Sequence, residues 1–186
     1  MSDIEILKEM IRDLAIVTLV NNQSRNKVIL SEPLQPDYSV TIEGMPAEEN
    51  VIVIKADQFK APDTIFRGDH GECKRADFVI IADTRKKKII LCIELKAKSG
   101  GHNHEILQQL QGAKCFVEYC KEIGKSFWKQ PQFLADYEYR FVIIRDTRVQ
   151  KQRSIIKLDG DSASKIPILV RQGSCLQFND LIQCKK

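Results

Sequence analysis

The chain has 186 residues, of which 43% are hydrophobic and 29% charged, with a formal net charge of +4. That balance excludes a disordered or fibrous chain and gives enough length for a real core, while the mild positive charge permits a polyanionic partner without demanding one. The opening MSDIEILKEM has no basic segment leading into an apolar run, and no stretch reaches the ~18 apolar residues of a membrane span, so the expectation is a cytoplasmic protein with no membrane partner.

In chain order, Ile4, Leu7, Met10, Ile11, Leu14 and Val17 recur at three- and four-residue steps, which predicts a helix over Asp3–Val20 with Ser2 or Asp3 as its N-cap. Lys27–Asn50 carries scattered Pro, Gly and Asn, with short strand candidates near Val28 and at Tyr38–Ile42. Val51–Ala56 is a better strand, and Asp57–Arg75, with Pro62, Gly68 and Gly71, is a loop. Two apolar runs, Phe78–Ala82 and Ile89–Leu95, then flank a short charged segment, the pattern of a hairpin buried on both faces.

After Ser99-Gly100-Gly101, a second helix is predicted over His102–Ile123, with Ile106, Leu110, Ala113, Val117 and Cys120 inward and Gly124 as its stop. Tyr139–Ile144 is a further buried strand. Ser154–Leu158 and Ile166–Val170 are short strands around a turn at Gly160–Ser164, and the tail from Leu176 has no decisive pattern. The helix between the hairpin and Tyr139–Ile144 suits a crossover, which makes those neighbouring strands parallel. The expectation is one α/β domain over residues 1–186, with its core at about 51–144 and a mixed central sheet flanked by helices on both faces. The six cysteines form no CxxC pair, and most read as reduced core thiols.

Asp77, Glu94 and Lys96 sit in or against these apolar strands, where a charge needs a partner, a metal ion or water. If Thr84–Lys87 is a four-residue loop, Asp83 faces Lys88 and counting back sets Asp77 opposite Glu94, with Lys96 on the same face. A loop one residue longer or shorter separates the two carboxylates onto opposite faces. Two adjacent carboxylates repel, and a hard divalent cation neutralises them. Mg²⁺ uses one or two carboxylates, keeps waters and binds phosphate. The competing explanation is an ion pair of Glu94 with Lys96 or Arg75.

An Asp at the start of one strand followed by Glu94-Leu95-Lys96 on its partner resembles the PD-(D/E)xK nuclease superfamily, which has the restriction-endonuclease-like fold. The resemblance covers roughly Val51–Ile144, and Ala76 stands where the motif's name has proline. It implies a Mg²⁺-dependent nuclease, with Mn²⁺ as a possible substitute, acting on DNA more readily than RNA in restriction, defence or repair. Asp77, Glu94 and the Leu95 carbonyl would hold the metal, and Lys96 would position water. Some members add a glutamine from the following helix, for which Gln109 is the best match, and many add an acid from the first helix, for which Glu5, Glu9 and Asp13 are candidates.

Lys98, Lys114, His102 and His104 are candidate nucleic-acid contacts, as are Arg145, Arg148, Lys151 and Arg153. Arg85–Lys88 reads as a soluble hairpin tip. Phe127 and Trp128 among lysines either stack on a base or cap the core. A small domain that cuts both strands often needs a second copy or a partner subunit. The alternatives are a non-catalytic nucleic-acid-binding or interaction subunit of the same fold and, more distantly, a zinc-binding interaction domain built on His70, Cys73, His102 and His104.

Overall fold

The structure, a computed structural model, describes residues 1–22, 25–32, 35–84, 86–96, 103–145, 154–155, 168–171 and 175–183. It begins with α1 (Asp3–Met10), closed by a reciprocal cap: the Glu5 N–H donates to the Ser2 hydroxyl at 3.2 Å, and the Ser2 N–H donates to the Glu5 carboxylate at 2.7 Å. Ile4, Ile6 and Leu7 are its buried residues. The helix stops at Ile11 rather than running to Val20, because the next residues find backbone partners on the sheet. Ile16 bridges Ile54, and the Val17 N–H donates to the Val53 carbonyl at 2.8 Å. Ile16 therefore packs on one face of the sheet while Val17 and Leu19 pack on the other. A stripe that reads as helical is a chain crossing a sheet edge.

β1 (Val20–Asn22), β2 (Arg25–Glu32) and β3 (Gln35–Met45) follow as an antiparallel meander, far longer than the two short strands expected there. β4 (Val51–Lys55), β5 (Phe78–Asp83) and β6 (Lys88–Lys96) form a second antiparallel run, buried almost throughout. α2 (Asn103–Phe127) then crosses over to β7 (Glu138–Arg145), which pairs with β6 in parallel, as the crossover argument expects. β8 (Ser154–Ile155) and β9 (Ile168–Arg171) extend this sheet, and β10 (Leu176–Gln177) joins β3 in parallel before α3 (Phe178–Ile182). The strand orders are β4-β5-β6-β7-β9-β8 and β1-β2-β3-β10. The predicted turn at Gly160–Ser164 lies outside the described residues.

The architecture is mixed α/β with two mixed sheets, and it corrects the expected layering. α1 and α2 lie on the same face of the larger sheet, against Val79, Ile81, Ile90 and Cys92. The other face, Phe78, Ile80, Leu91 and Ile93, is covered by Val28, Leu30, Val40 and Ile42 of the second sheet, with the short α3 beside them. Strand alternation dictates this division, since consecutive apolar residues must face opposite layers.

Gly124 does not end α2, which runs on to Phe127. The Phe133 ring lies where a Gly124 β-carbon would sit, so this glycine is a packing notch for the returning chain. Trp128 packs against the core, whereas Phe127 is exposed. Cys92 and Cys120 are buried free thiols. Among the described residues no helix is long and apolar enough to cross a membrane.

Candidate functional site: a carboxylate pair at the mouth of β5 and β6

The hairpin register follows from its loop. The Thr84 N–H donates to the Lys87 carbonyl at 2.8 Å, and the Lys87 N–H donates to the Thr84 hydroxyl at 2.8 Å. Asp83 then pairs with Lys88, Ile81 with Ile90, Val79 with Cys92 and Phe78 with Ile93. This is the parity that sets Asp77 against Glu94, one step beyond the last of those pairs. Asp77 turns its backbone toward β4, accepting the Ala56 N–H at 2.9 Å. Toward β6 it therefore stands as the non-hydrogen-bonded kind of pair, whose Cα atoms are about 4.5 Å apart and whose side chains lie closest.

Asp77 also stops the ladder. Its Oδ2 accepts the Leu95 N–H at 2.7 Å. In a strand the N–H and C=O of one residue point to the same side, so the Leu95 carbonyl also faces the Asp77 edge. Glu94 is 1% exposed, yet neither carboxylate oxygen makes a hydrogen bond of full geometry. Its close neighbour is the Lys96 ammonium, 2.7 Å from Oε1. Burial, and then the adjacent Asp77 charge, push the Glu94 carboxyl up to about 8, against the pull of Lys96 and the Asp77 backbone amide. For Lys96, burial pulls the ammonium down, but the Glu94 hydrogen bond and the charges of Glu94, Asp77 and Glu105 outweigh it, so its pKa lies above that of an ordinary lysine. With both carboxylates beside it, Lys96 is held as a cation that donates to Glu94.

Glu105, in the first turn of α2, is a member of this electrostatic group that the sequence reading missed. It pairs with Lys74 at 3.0 Å and so ties the approach to Asp77 onto α2. Only its place among the first-turn acids hinted at such a role. That approach is held elsewhere too. The Gly68 and His70 N–H groups both donate to Glu72 at 2.9 Å, and Gln108 Nε2 donates to the His70 carbonyl at 2.8 Å. At Gly112 the α2 backbone comes against the Lys74 carbonyl so closely that no β-carbon fits. Arg75 lies over the Phe59 ring, 5.0 Å from its centroid, rather than on Glu94.

Asp77, Glu94, Leu95 and Lys96 are therefore brought together. The other predicted residues make no recorded hydrogen bond or ion pair with these four among the described residues. Gln109 is half-buried on α2, with an Oε1 that is buried and makes no hydrogen bond. His104 is exposed near the start of α2, and Lys98 and His102 lie outside the described residues, as do Arg148, Lys151 and Arg153. Lys114 sits over the Tyr139 ring at 5.7 Å, and Tyr139 is level with Ile90. At about 3.3 Å per residue that is about 13 Å down the strand from Glu94, so Lys114 is away from the pair. Glu5 is spent on the cap of α1, Glu9 accepts the Trp128 indole N–H at 3.0 Å, and Asp13 is exposed in a 3₁₀ turn.

The zinc arrangement is not assembled in what is described. The Cys73 thiol points to the Phe66 carbonyl, and no group of three or more His, Cys, Asp or Glu converges among the described residues. For a magnesium-type ion the donor set present does fit: two adjacent carboxylates, one buried and short of hydrogen bonds, with a backbone carbonyl on the same edge and waters for the rest. No family model, curated protein or solved structure matches the chain.

Proposed function

We propose that the protein is a Mg²⁺-dependent nuclease that hydrolyses phosphodiester bonds in nucleic acid. DNA is the favoured substrate, the restriction-endonuclease-like fold the favoured class, and restriction, defence or repair the setting. The observation that carries this is the opposition of Asp77 and Glu94 in a buried site, where burial and the Asp77 charge disfavour ionised Glu94 and its oxygens are short of hydrogen bonds. The antiparallel run β4–β5–β6, the α2 crossover and parallel β7 span the stretch covered by the motif resemblance, which also supports the reading.

Asp77, Glu94 and the Leu95 carbonyl would hold the cation, and Mn²⁺ is the expected substitute. When bound, such an ion neutralises charge on the phosphate and makes a coordinated water more acidic. The chain supplies the rest. Lys96, beside the carboxylate pair, would orient a water by donation and offset charge as the phosphorus–oxygen bond breaks. Asp77, held on the Leu95 N–H, fixes the edge against which the phosphate is placed.

A non-catalytic nucleic-acid-binding or interaction subunit is the second reading, favoured by the short Glu94–Lys96 ion pair. Supercoiled and linear DNA incubated with Mg²⁺, using wild type, Glu94→Ala and Lys96→Ala, separates the two. Cleavage that survives both substitutions removes the assigned site, and binding without cleavage in Mg²⁺ or Mn²⁺ favours the second reading.

A further inference from the structure

The contact between Lys96 and Glu94 is not built like the structural ion pairs of this fold. On α2, Glu118 Oε1 is met by the Lys121 ammonium at 3.1 Å and also accepts the Tyr139 hydroxyl at 2.8 Å. Glu94 is far more buried, yet neither of its oxygens makes a hydrogen bond of full geometry, even with the Lys96 ammonium 2.7 Å from Oε1. A buried ion pair offsets its desolvation only when the remaining lone pairs are met as well. Here they are left open. Exposure also differs across the pair, at 25% for the Lys96 side chain and 1% for that of Glu94. The ammonium therefore stands on the water side of the carboxylate, against an oxygen that a divalent ion would use. Like charges repel strongly at contact distance in a water-poor site, so the two cations exchange there rather than share.

We infer that Lys96 is a latch on the carboxylate pair. It holds Glu94 as a resident counter-cation, and it must leave Oε1 before a divalent ion can enter. Once displaced, its N–H groups are free to donate to water, so metal entry and the arming of Lys96 are one event. The divalent occupant rests on the nuclease reading above, while the latch itself rests on the 2.7 Å contact and the open lone pairs of Glu94.

The test titrates Mg²⁺ alone into metal-free protein by calorimetry above pH 8, without nucleic acid. Lys96→Met is expected to bind Mg²⁺ roughly 5- to 150-fold more tightly than wild type, the usual range for two ligands coupled through one protein. Lys125→Ala, which removes a lysine paired with Glu122 near the end of α2, leaves the affinity unchanged. Wild type alone supplies a second measurement that does not depend on a variant folding. Acetylation of Lys96 by acetic anhydride, followed by mass spectrometry and referred to Lys125, is expected to be faster in saturating Mg²⁺ than in EDTA. Equal or weaker binding by folded Lys96→Met, an equal gain in Lys125→Ala, or Lys96 acetylation that Mg²⁺ leaves unchanged or slows overturns the latch. The two proposals fail separately: Mg²⁺-dependent cleavage without the gain in affinity sinks the latch alone, and the gain without cleavage sinks the nuclease reading alone. Absence of Mg²⁺ binding in both wild type and Lys96→Met overturns both.

Discussion

The Asp77 carboxylate accepts the backbone N–H of Leu95 across the end of the β5–β6 ladder, at 2.7 Å. One side chain thereby does two jobs, closing an unpaired strand end and holding a negative charge against buried Glu94. The two jobs separate by substitution. Asp77→Asn keeps an acceptor for Leu95 and is expected to fold like wild type, but to lose 100-fold or more in Mg²⁺-dependent cleavage, on the order of one essential electrostatic group. Asp77→Ala is expected to lose the same activity and, in addition, about 1–3 kcal/mol of stability from the orphaned N–H. Denaturant unfolding beside a plasmid-nicking assay reads both.

The elevated Glu94 carboxyl makes a pH prediction. Its folded-state pKa, about 8, lies above the ordinary value of 4.5, so the folded state holds this proton more tightly than the unfolded one. Stability from Glu94 is then fully present below about pH 4.5 and is lost as pH rises through about 8, on the order of a few kcal/mol. Without divalent cation, melting temperature is expected to fall between pH 5 and 8 by more in wild type than in Glu94→Gln. Mg²⁺ is expected to restore it at pH 8 in wild type only, because a ligand of the folded state stabilises by mass action. Equal pH dependence in the two proteins contradicts the assignment.

Lys96 and Glu94, 2.7 Å apart with Glu94 buried, are expected to be strongly coupled. Above pH 8, where Glu94 is ionised, Lys96→Met leaves a buried carboxylate without its cation and is expected to cost about 3–5 kcal/mol, whereas the double variant Glu94→Gln, Lys96→Met recovers most of it. Chemical denaturation of the four proteins of this cycle measures the coupling. Recovery of folding without recovery of cleavage marks the pair as functional as well as structural.

Gly112 is expected to be the most sensitive glycine for the site. Gly112→Ala places a β-carbon against the Lys74 carbonyl, which is backbone and cannot swing aside. The expected cost is about 1–3 kcal/mol, with displacement of the strap that leads into Asp77. A lower unfolding midpoint together with weaker Mg²⁺ binding by calorimetry checks this. A lower midpoint with unchanged Mg²⁺ binding indicates that the strap does not position the carboxylate.

The candidate site was legible because its logic is local. A hairpin with a short loop has a fixed parity, and alternation with period two carries that parity from Asp83–Lys88 to Asp77–Glu94, with Lys96 following on the same face. The crossover to β7 was legible for a similar reason, since a long helix between two buried strands leaves few ways to return.

Only the tertiary structure decided the rest. The end of α1 at Ile11 depends on Ile16 and Val17 pairing with the edge of β4, a competition that no helical stripe reveals. Gly124 reads as a stop in isolation, and becomes a notch only because Phe133 returns to fill it. The covering of one sheet face by β2, β3 and β10 rests on pairings between segments far apart in the chain, as does Glu105 beside Lys96. Periodicity tells a residue which way to face. What it then meets is set by contacts that form only when distant segments are closed together, and that closure leaves no short-range pattern in the chain.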